Sequence, residues 1–257
     1  MQRQIMERFW EVDFLRGIAI ILMVVYHFLF DLDYFKGYGV NLESGLWWLV
    51  GRAAAILFIF LVGVSLALSY SRYRLNTGAA ASPPYKKYFF RGLKIFSWGL
   101  IITLLTYIFF RDEFIMFGVL HLIGVSIIIS MFLLRPANES KKANLMLLMI
   151  GAAIIIAGIC LINFRFDFGW LMWLGLRPYN LYTLDYFPLL PWLGLVLAGI
   201  SLGNMAYRNY SRQFYPKLGV GEPKNIGARA LCFAGRNSLI IYLIHQPVLI
   251  ALLYIVG

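Results

Sequence analysis

Seven apolar runs, each close to twenty residues long, govern what this chain can fold into. They cover residues 14–32, 46–70, 89–110, 114–134, 145–164, 187–207 and 239–256. A helix of about twenty apolar residues crosses the roughly 30 Å hydrocarbon core of a bilayer. Hydrocarbon offers no partner to unpaired amides, so spanning segments fold as helices or closed barrels. Runs of this length predict helices. The apolar stretch 168–176 is too short to cross and reads as a half-buried interfacial piece before Pro178.

The loops between the runs set the direction of insertion. One set carries Arg3 and Arg8, then Arg72, Arg74, Lys86, Lys87 and Arg91, then Arg135, Lys141 and Lys142, then Arg208, Arg212, Lys217, Lys224 and Arg229. The other set holds little beyond Lys36, Arg111, Arg165 and Arg177. With seven crossings every basic-rich loop falls on one side, which the positive-inside rule makes cytosolic. The expectation is an all-α polytopic membrane helix bundle of about seven transmembrane helices. Its N-terminus, with Arg3, and Lys217 are cytosolic, and Gly257 is external. Its place is the cell (inner or plasma) membrane, with lipids as partners.

Composition excludes the main alternatives. Of the 257 residues, 61% are hydrophobic and 14% charged, leaving too little polar material to cover a soluble domain. The net charge of +11 does not argue for nucleic acid, because the basic residues sit in short loops between spans. Cys160 and Cys232 lie in or beside apolar runs and form no Cys-x-x-Cys or Cys/His cluster, so neither a disulfide framework nor a metal site is expected. The first run is too long for a cleavable signal segment. No internal repeat is visible. The polar stretches 71–88 and 208–229 read as connectors, which leaves a single domain over 1–257.

Ionisable groups inside spans are expensive and point to function. Asp13, Arg16, Ile20, Met23, His27 and Asp31 recur every three or four residues and share one helix face. Arg16 and His27 are three turns apart, about 16 Å. The stripe therefore has a fixed cation at its cytosolic end and a titratable imidazole at its outer end. His27 is the expected general base, with Asp31 one turn on to orient it. The plainer reading of Asp13 and Arg16 is an interfacial ion pair, and that of His27 a core histidine. His121, flanked by Gly118 and Gly124, also falls in an outer half and is the second candidate base. His245 precedes Pro247 deeper in the last run, where a structural role competes with a chemical one. Arg52 is a candidate anion partner, or else a partner of Glu43 or Asp31. Asp185 and Trp192 open the sixth run and suit an outer mouth, or an aromatic anchor. At the cytosolic start of the last run, Arg236 suits a phosphate of lipid or ligand, while Asn237 or Ser238 suits a helix cap.

These motifs resemble a known family. Asp13-Phe-Leu-Arg-Gly-Ile-Ala-Ile-Ile-Leu-Met-Val-Val-Tyr-His27 resembles the first helix of the heparan-α-glucosaminide N-acetyltransferase family. Asp185-Tyr-Phe-Pro-Leu-Leu-Pro-Trp-Leu-Gly194 and Gly235-Arg-Asn-Ser-Leu-Ile-Ile-Tyr-Leu-Ile-His-Gln-Pro247 resemble later motifs of its small bacterial members. The resemblance implies a membrane acyltransferase that takes acetyl from cytosolic acetyl-CoA and delivers it near the outer face. The acceptor is a hydroxyl or amine, as on a sugar or envelope glycan. Acetyl-CoA is then the co-substrate, with no metal. Taken with the residue reading, the candidate cofactor-binding residues are Arg16, Arg236, Asn237, Ser238 and His245, the candidate catalytic ones His27, Asp31 and His121, and the candidate substrate-binding ones Arg52, Asp185 and Trp192; of these the resemblance itself places Arg16 and His27 on the matching first helix. The chain departs from its lysosomal relatives in lacking their large luminal domain and extra helices, and in placing His27 where they carry an amide. Heparan sulfate is therefore not its expected substrate. A transporter or channel using the His/Asp stripe is the alternative function, an inert scaffold a third. Nucleic acid is not an expected partner; a homodimer is a further partner expectation.

Overall fold

The computed structural model describes residues 8–78, 82–213, 223 and 225–256; the expectations for Arg3, Lys217, Lys224 and Gly257 lie outside the described residues. The elements are all helical: α1 (Trp10–Lys36), α2 (Gly45–Thr77), α3 (Tyr85–Phe109), α4 (Val119–Ser130), α5 (Leu134–Glu139), α6 (Lys141–Leu161), α7 (Leu189–Ala206), α8 (Ile226–Arg236) and α9 (Ser238–Val256). Among the described residues, extended pairing is limited to two isolated bridges, Phe117 with Tyr186 and Phe166 with Pro178. Helices α1, α2, α3, α6, α7 and α9 are long and apolar enough to cross a membrane. The protein is an all-α polytopic membrane protein.

The fourth apolar run differs from expectation. Over 114–134 the chain forms only the 12-residue α4, about 18 Å long. Nine of its residues are buried, so protein rather than lipid surrounds it. The irregular chain before it is tolerated because its polar groups are paired. The Thr106 hydroxyl accepts from Ile115 N–H at 3.0 Å, and Thr103 donates to Ile115 carbonyl at 2.7 Å. Thr183 donates to Phe114 carbonyl, and Leu184 N–H to Glu113 carbonyl, both at 2.8 Å. The connectors also hold more helix than the sequence suggests. Helix α2 continues to Thr77, α3 starts at Tyr85, and α8 occupies the end of the 208–229 stretch and beyond. The 168–176 piece carries a single 3-10 turn, Met172–Leu174.

The chain divides into two compact units, Met1–Leu61 with Lys217–Gly257, and Val62–Pro216. In the first unit α1 and α9 run parallel. His27 meets His245, Asp31 meets Gln246 and Phe35 meets Tyr254, in the same order along both helices, and Asp13 meets Arg236 at the end of α8, just before α9 begins. Helix α8 crosses α1 at backbone distance. A Cβ on Gly17 would collide with the Leu231 carbonyl, and one on Gly235 with the Asp13 carbonyl. Glycine stops α1 at its far end, where Gly37 takes φ 66° and its N–H bonds to the Asp33 carbonyl.

In the second unit small residues again set the close contacts. Gly92 of α3 faces Gly124 of α4, and Gly151 of α6 faces Gly194 of α7. A buried polar network ties the same unit together. Asn144 donates to the Ser201 carbonyl at 3.1 Å, Ser201 donates to the Asn144 carbonyl at 2.9 Å, and Asn204 donates to the Asn144 side chain at 3.1 Å. Asn138 then donates to Asn204, and Arg74 to Asn138 at 2.8 Å.

Candidate active site

Two imidazoles face each other between α1 and α9. The rings of His27 and His245 lie edge to face, 4.9 Å between centroids. Each is fastened to its own helix by one nitrogen. His27 Nδ1 lies 2.9 Å from the Met23 carbonyl and His245 Nδ1 lies 2.7 Å from the Tyr242 carbonyl. A carbonyl only accepts, so each Nδ1 carries a proton and each neutral ring keeps its lone pair on Nε2. The Nε2 of His245 is buried without a partner among the described residues. Pro247, two residues on, lacks an amide proton, so this turn of α9 loses a helical hydrogen bond.

This arrangement corrects two sequence expectations. Asp31 does not orient His27, whose Nδ1 is taken by the carbonyl one turn back. Asp31 instead accepts from Gln246 Nε2 at 2.5 Å, across to α9. His245 does not stand apart from His27 at another depth; the two rings form a pair. The sequence places both residues on polar helix faces, but which faces meet depends on a contact between positions 215 residues apart.

About 21 Å back along α1 from His27, the Asp13 carboxylate gathers three guanidinium groups. Arg16 is 3.0 Å away, Arg236 3.5 Å and Arg8 3.9 Å. Asp13 is buried, and the glycine contacts between α1 and α8 bring Arg236 within its reach. The arrangement fits a polyphosphate, since planar guanidiniums bind phosphate oxygens through paired donors. Asn237 ends α8 rather than starting α9: its side chain donates to the Phe233 carbonyl at 2.9 Å. Ser238 is the buried first residue of α9. Arg52 lies over the Trp48 ring, 5.6 Å from its centroid, rather than against Glu43 or Asp31.

The remaining candidates belong to the second unit and have structural partners there. His121 Nδ1 accepts from the Gly118 N–H at 3.2 Å, so that nitrogen is unprotonated. Its Nε2 then carries the proton, directed at Thr103 Oγ1 at 3.5 Å. With both nitrogens occupied and the ring stacked on Phe117 at 5.4 Å, His121 fastens the start of α4. Asp185 has a similar task. Its Oδ2 accepts from the Val119 N–H at 3.1 Å, an acid placed at the N-terminus of α4. Trp192 is buried with its ring 4.8 Å from Phe187, a packing position rather than an open mouth.

Burial pushes the Asp185 carboxyl up to about 6, and the Val119 N–H offsets part of that. An acid whose folded pKa is raised binds extra protons in the folded state. Its effect on stability is therefore most favourable at low pH and is lost as pH rises from about 4 to about 6. Asp185→Asn removes the titration and keeps an oxygen to accept from Val119. Melting profiles of wild type and variant should diverge across that window, with the wild type losing more stability as pH rises, and run parallel above it. Parallel profiles throughout would show that Asp185 is ordinarily solvated.

The profile of the family described as heparan-alpha-glucosaminide N-acetyltransferase, catalytic, matches residues 8–247. No curated protein and no solved structure matches the chain. The match contains both units' helices from α1 into α9, with the arginine cluster, His27 and His245 all inside it. This multi-pass membrane protein therefore belongs to the heparan-α-glucosaminide N-acetyltransferase catalytic family, a family of membrane acetyltransferases.

Proposed function

We propose that the protein transfers an acetyl group from cytosolic acetyl-CoA to a hydroxyl or amine acceptor, a sugar or envelope glycan, near the outer face of the cell membrane, within one transmembrane domain. The observation that carries this reading is the facing pair His27 and His245, each with its lone pair on Nε2, one helix length from a cluster of arginines. Arg16 and Arg236 hold the phosphates of the donor, and Asp13 keeps their side chains aimed. The pantetheine arm has about the reach to bring the thioester from there to His27.

His27 Nε2 takes the proton of the acceptor O–H or N–H as its oxygen or nitrogen attacks the thioester carbonyl carbon. The carbon–sulfur bond breaks, and the imidazolium of the pair returns a proton to the departing thiolate. His245 lies within the same pair, so it shares the charge that His27 acquires. A base positioned in this way supplies roughly a hundredfold to ten-thousandfold in rate. The N-terminus in the cytosol follows from the segregation of Lys and Arg among the loops, and it puts the arginine end of α1 on the side where acetyl-CoA is made available.

Vesicles of defined sidedness test the reading. Acetyl-CoA offered to the face that bears Arg16 should support acetylation of an amino-sugar or glycan acceptor enclosed on the other side, and acetyl-CoA offered to the opposite face should not. Arg16→Ala should weaken acetyl-CoA binding about tenfold to a hundredfold in calorimetry, the worth of one charge-assisted contact. A wild-type protein that binds no acetyl-CoA in nanodiscs would overturn the proposal.

A further inference from the structure

Asp31 and Gln246 form an unusual pair for a helix interface of this kind. Asp31 is fully buried, and Gln246 Nε2 donates to its Oδ1 at 2.5 Å. Asp31 Oδ2 and Gln246 Oε1 are both buried with no partner among the described residues. An oxygen left unsatisfied in this way is costly. Two leucines would hold α1 against α9 at lower cost, since apolar replacement of a buried polar pair is often neutral or stabilising. The pair is therefore poorly accounted for by stability alone.

Its position suggests what it is for. Gln246 directly follows His245, and Asp31 stands one turn beyond His27. The bond between them is directional and joins α1 to α9 beside the two imidazoles. Apolar packing alone allows sliding and rotation of parallel helices, whereas a single buried polar contact fixes register. We infer that Gln246 is a positioning residue: through its bond to Asp31 it locks the register of α1 and α9 and so holds the His27 and His245 rings face to edge. The inference rests on the acetyl-transfer reading of that ring pair. It gives Asp31 a task different from orienting His27 through a direct bond.

The consequence for chemistry is geometric. A misplacement of about 1 Å in a reacting group can cost a hundredfold in rate. Loss of the bond should therefore lower turnover about tenfold to a hundredfold while acetyl-CoA affinity, set at the arginine end, stays the same. The charge of Asp31 is not needed for this task, because an amide oxygen accepts the same bond.

Three proteins decide the matter: wild type, Asp31→Asn, and the double variant Asp31→Leu with Gln246→Leu. The chain has three histidines, so histidine-selective isotope labelling gives a simple spectrum in which a ring-to-ring contact is directly visible. The His27–His245 contact should appear in wild type and Asp31→Asn and vanish in the double variant, which should melt no lower than wild type. Turnover should follow the contact, with kcat rather than the KM for acetyl-CoA changing. A contact that persists in the double variant, or one missing from wild type or from Asp31→Asn, overturns the inference. If the contact behaves as expected but wild type shows no acetyl transfer, the positioning role stands and the proposed function is what fails.

Discussion

Replacing His27 with alanine should reduce acetyl transfer by about a hundredfold to ten-thousandfold, the usual worth of a positioned base. Acetyl-CoA affinity should be unchanged. The two expectations are linked by distance, since His27 and Arg16 are eleven residues apart on a continuous helix, about 16 Å. His27 is half-buried and fastened through Nδ1, so the variant removes the group that bears the free lone pair and little else. Turnover and affinity are to be measured on the same nanodisc samples. Near-normal turnover would transfer the role to His245, whose Nε2 lies buried beside it without a partner among the described residues. It would not transfer the role to His121, because both ring nitrogens of His121 are engaged around the start of α4. Loss of both turnover and affinity in a folded variant would mean that His27 touches the donor.

The pH dependence of kcat offers a second view of the same pair. Two imidazoles in contact titrate as a unit, so an apparent value belongs to the pair and not to one ring. His27→Ala leaves one ring, and the acid limb of any residual rate then reports His245 alone.

The membrane architecture was legible because it rests on segment length and loop charge, both local properties of the chain. The helix from Trp10 to Lys36 follows from its apolar run, and its polar stripe from residue spacing alone. The partner of each stripe residue was not legible. Asp31 lies one turn from His27, which suggests a bond within α1, but His27 Nδ1 is bonded to the backbone carbonyl of Met23 instead. The amide that does reach Asp31 comes from α9, at a position no local pattern connects to it. His121 misleads for a related reason. Its surroundings in sequence are apolar, which reads as a costly group kept for function. Its actual partners are a backbone N–H and a threonine from α3, and neither leaves a trace in the sequence next to it. The fourth run looked long enough to cross as a helix because composition does not show where helix gives way to paired loop. Gly118 and the acid of Asp185, 66 residues away from Val119, set the start of α4 instead. Helix α8 was hidden by its setting after a polar stretch rich in Lys, Pro and Gly, although Asn225 caps it by accepting from Gly227 and Ala228.

The contact between α1 and α8 should prove the least tolerant place in the protein. Gly17→Val and Gly235→Val are each expected to lower the melting temperature and to reduce acetyl-CoA affinity at least tenfold. The obstacle at both sites is backbone: the Leu231 carbonyl opposite Gly17, and the Asp13 carbonyl opposite Gly235. A flexible side chain would move aside, but a helix carbonyl moves only with its helix, so α1 and α8 must part. Overpacking typically costs about 1–3 kcal/mol and sometimes more, and the rigid partner puts these sites toward the upper end. Parting the helices also pulls Arg236, on α8, from Asp13, on α1, now 3.5 Å apart. Affinity then falls although no residue proposed to touch the donor has been replaced, and a tenfold loss needs only about 1.4 kcal/mol. Gly169→Ala is the control, since its added methyl group would meet only Pro178, at 4.0 Å. Wild-type melting and affinity in both valine variants would show that α1 and α8 do not hold this contact in the membrane, and the assembly of the arginine cluster by Asp13 would fall with it. Loss of affinity in Gly17→Val together with retained affinity in His27→Ala would separate the two ends of α1 into a donor-gripping end and a proton-transferring end.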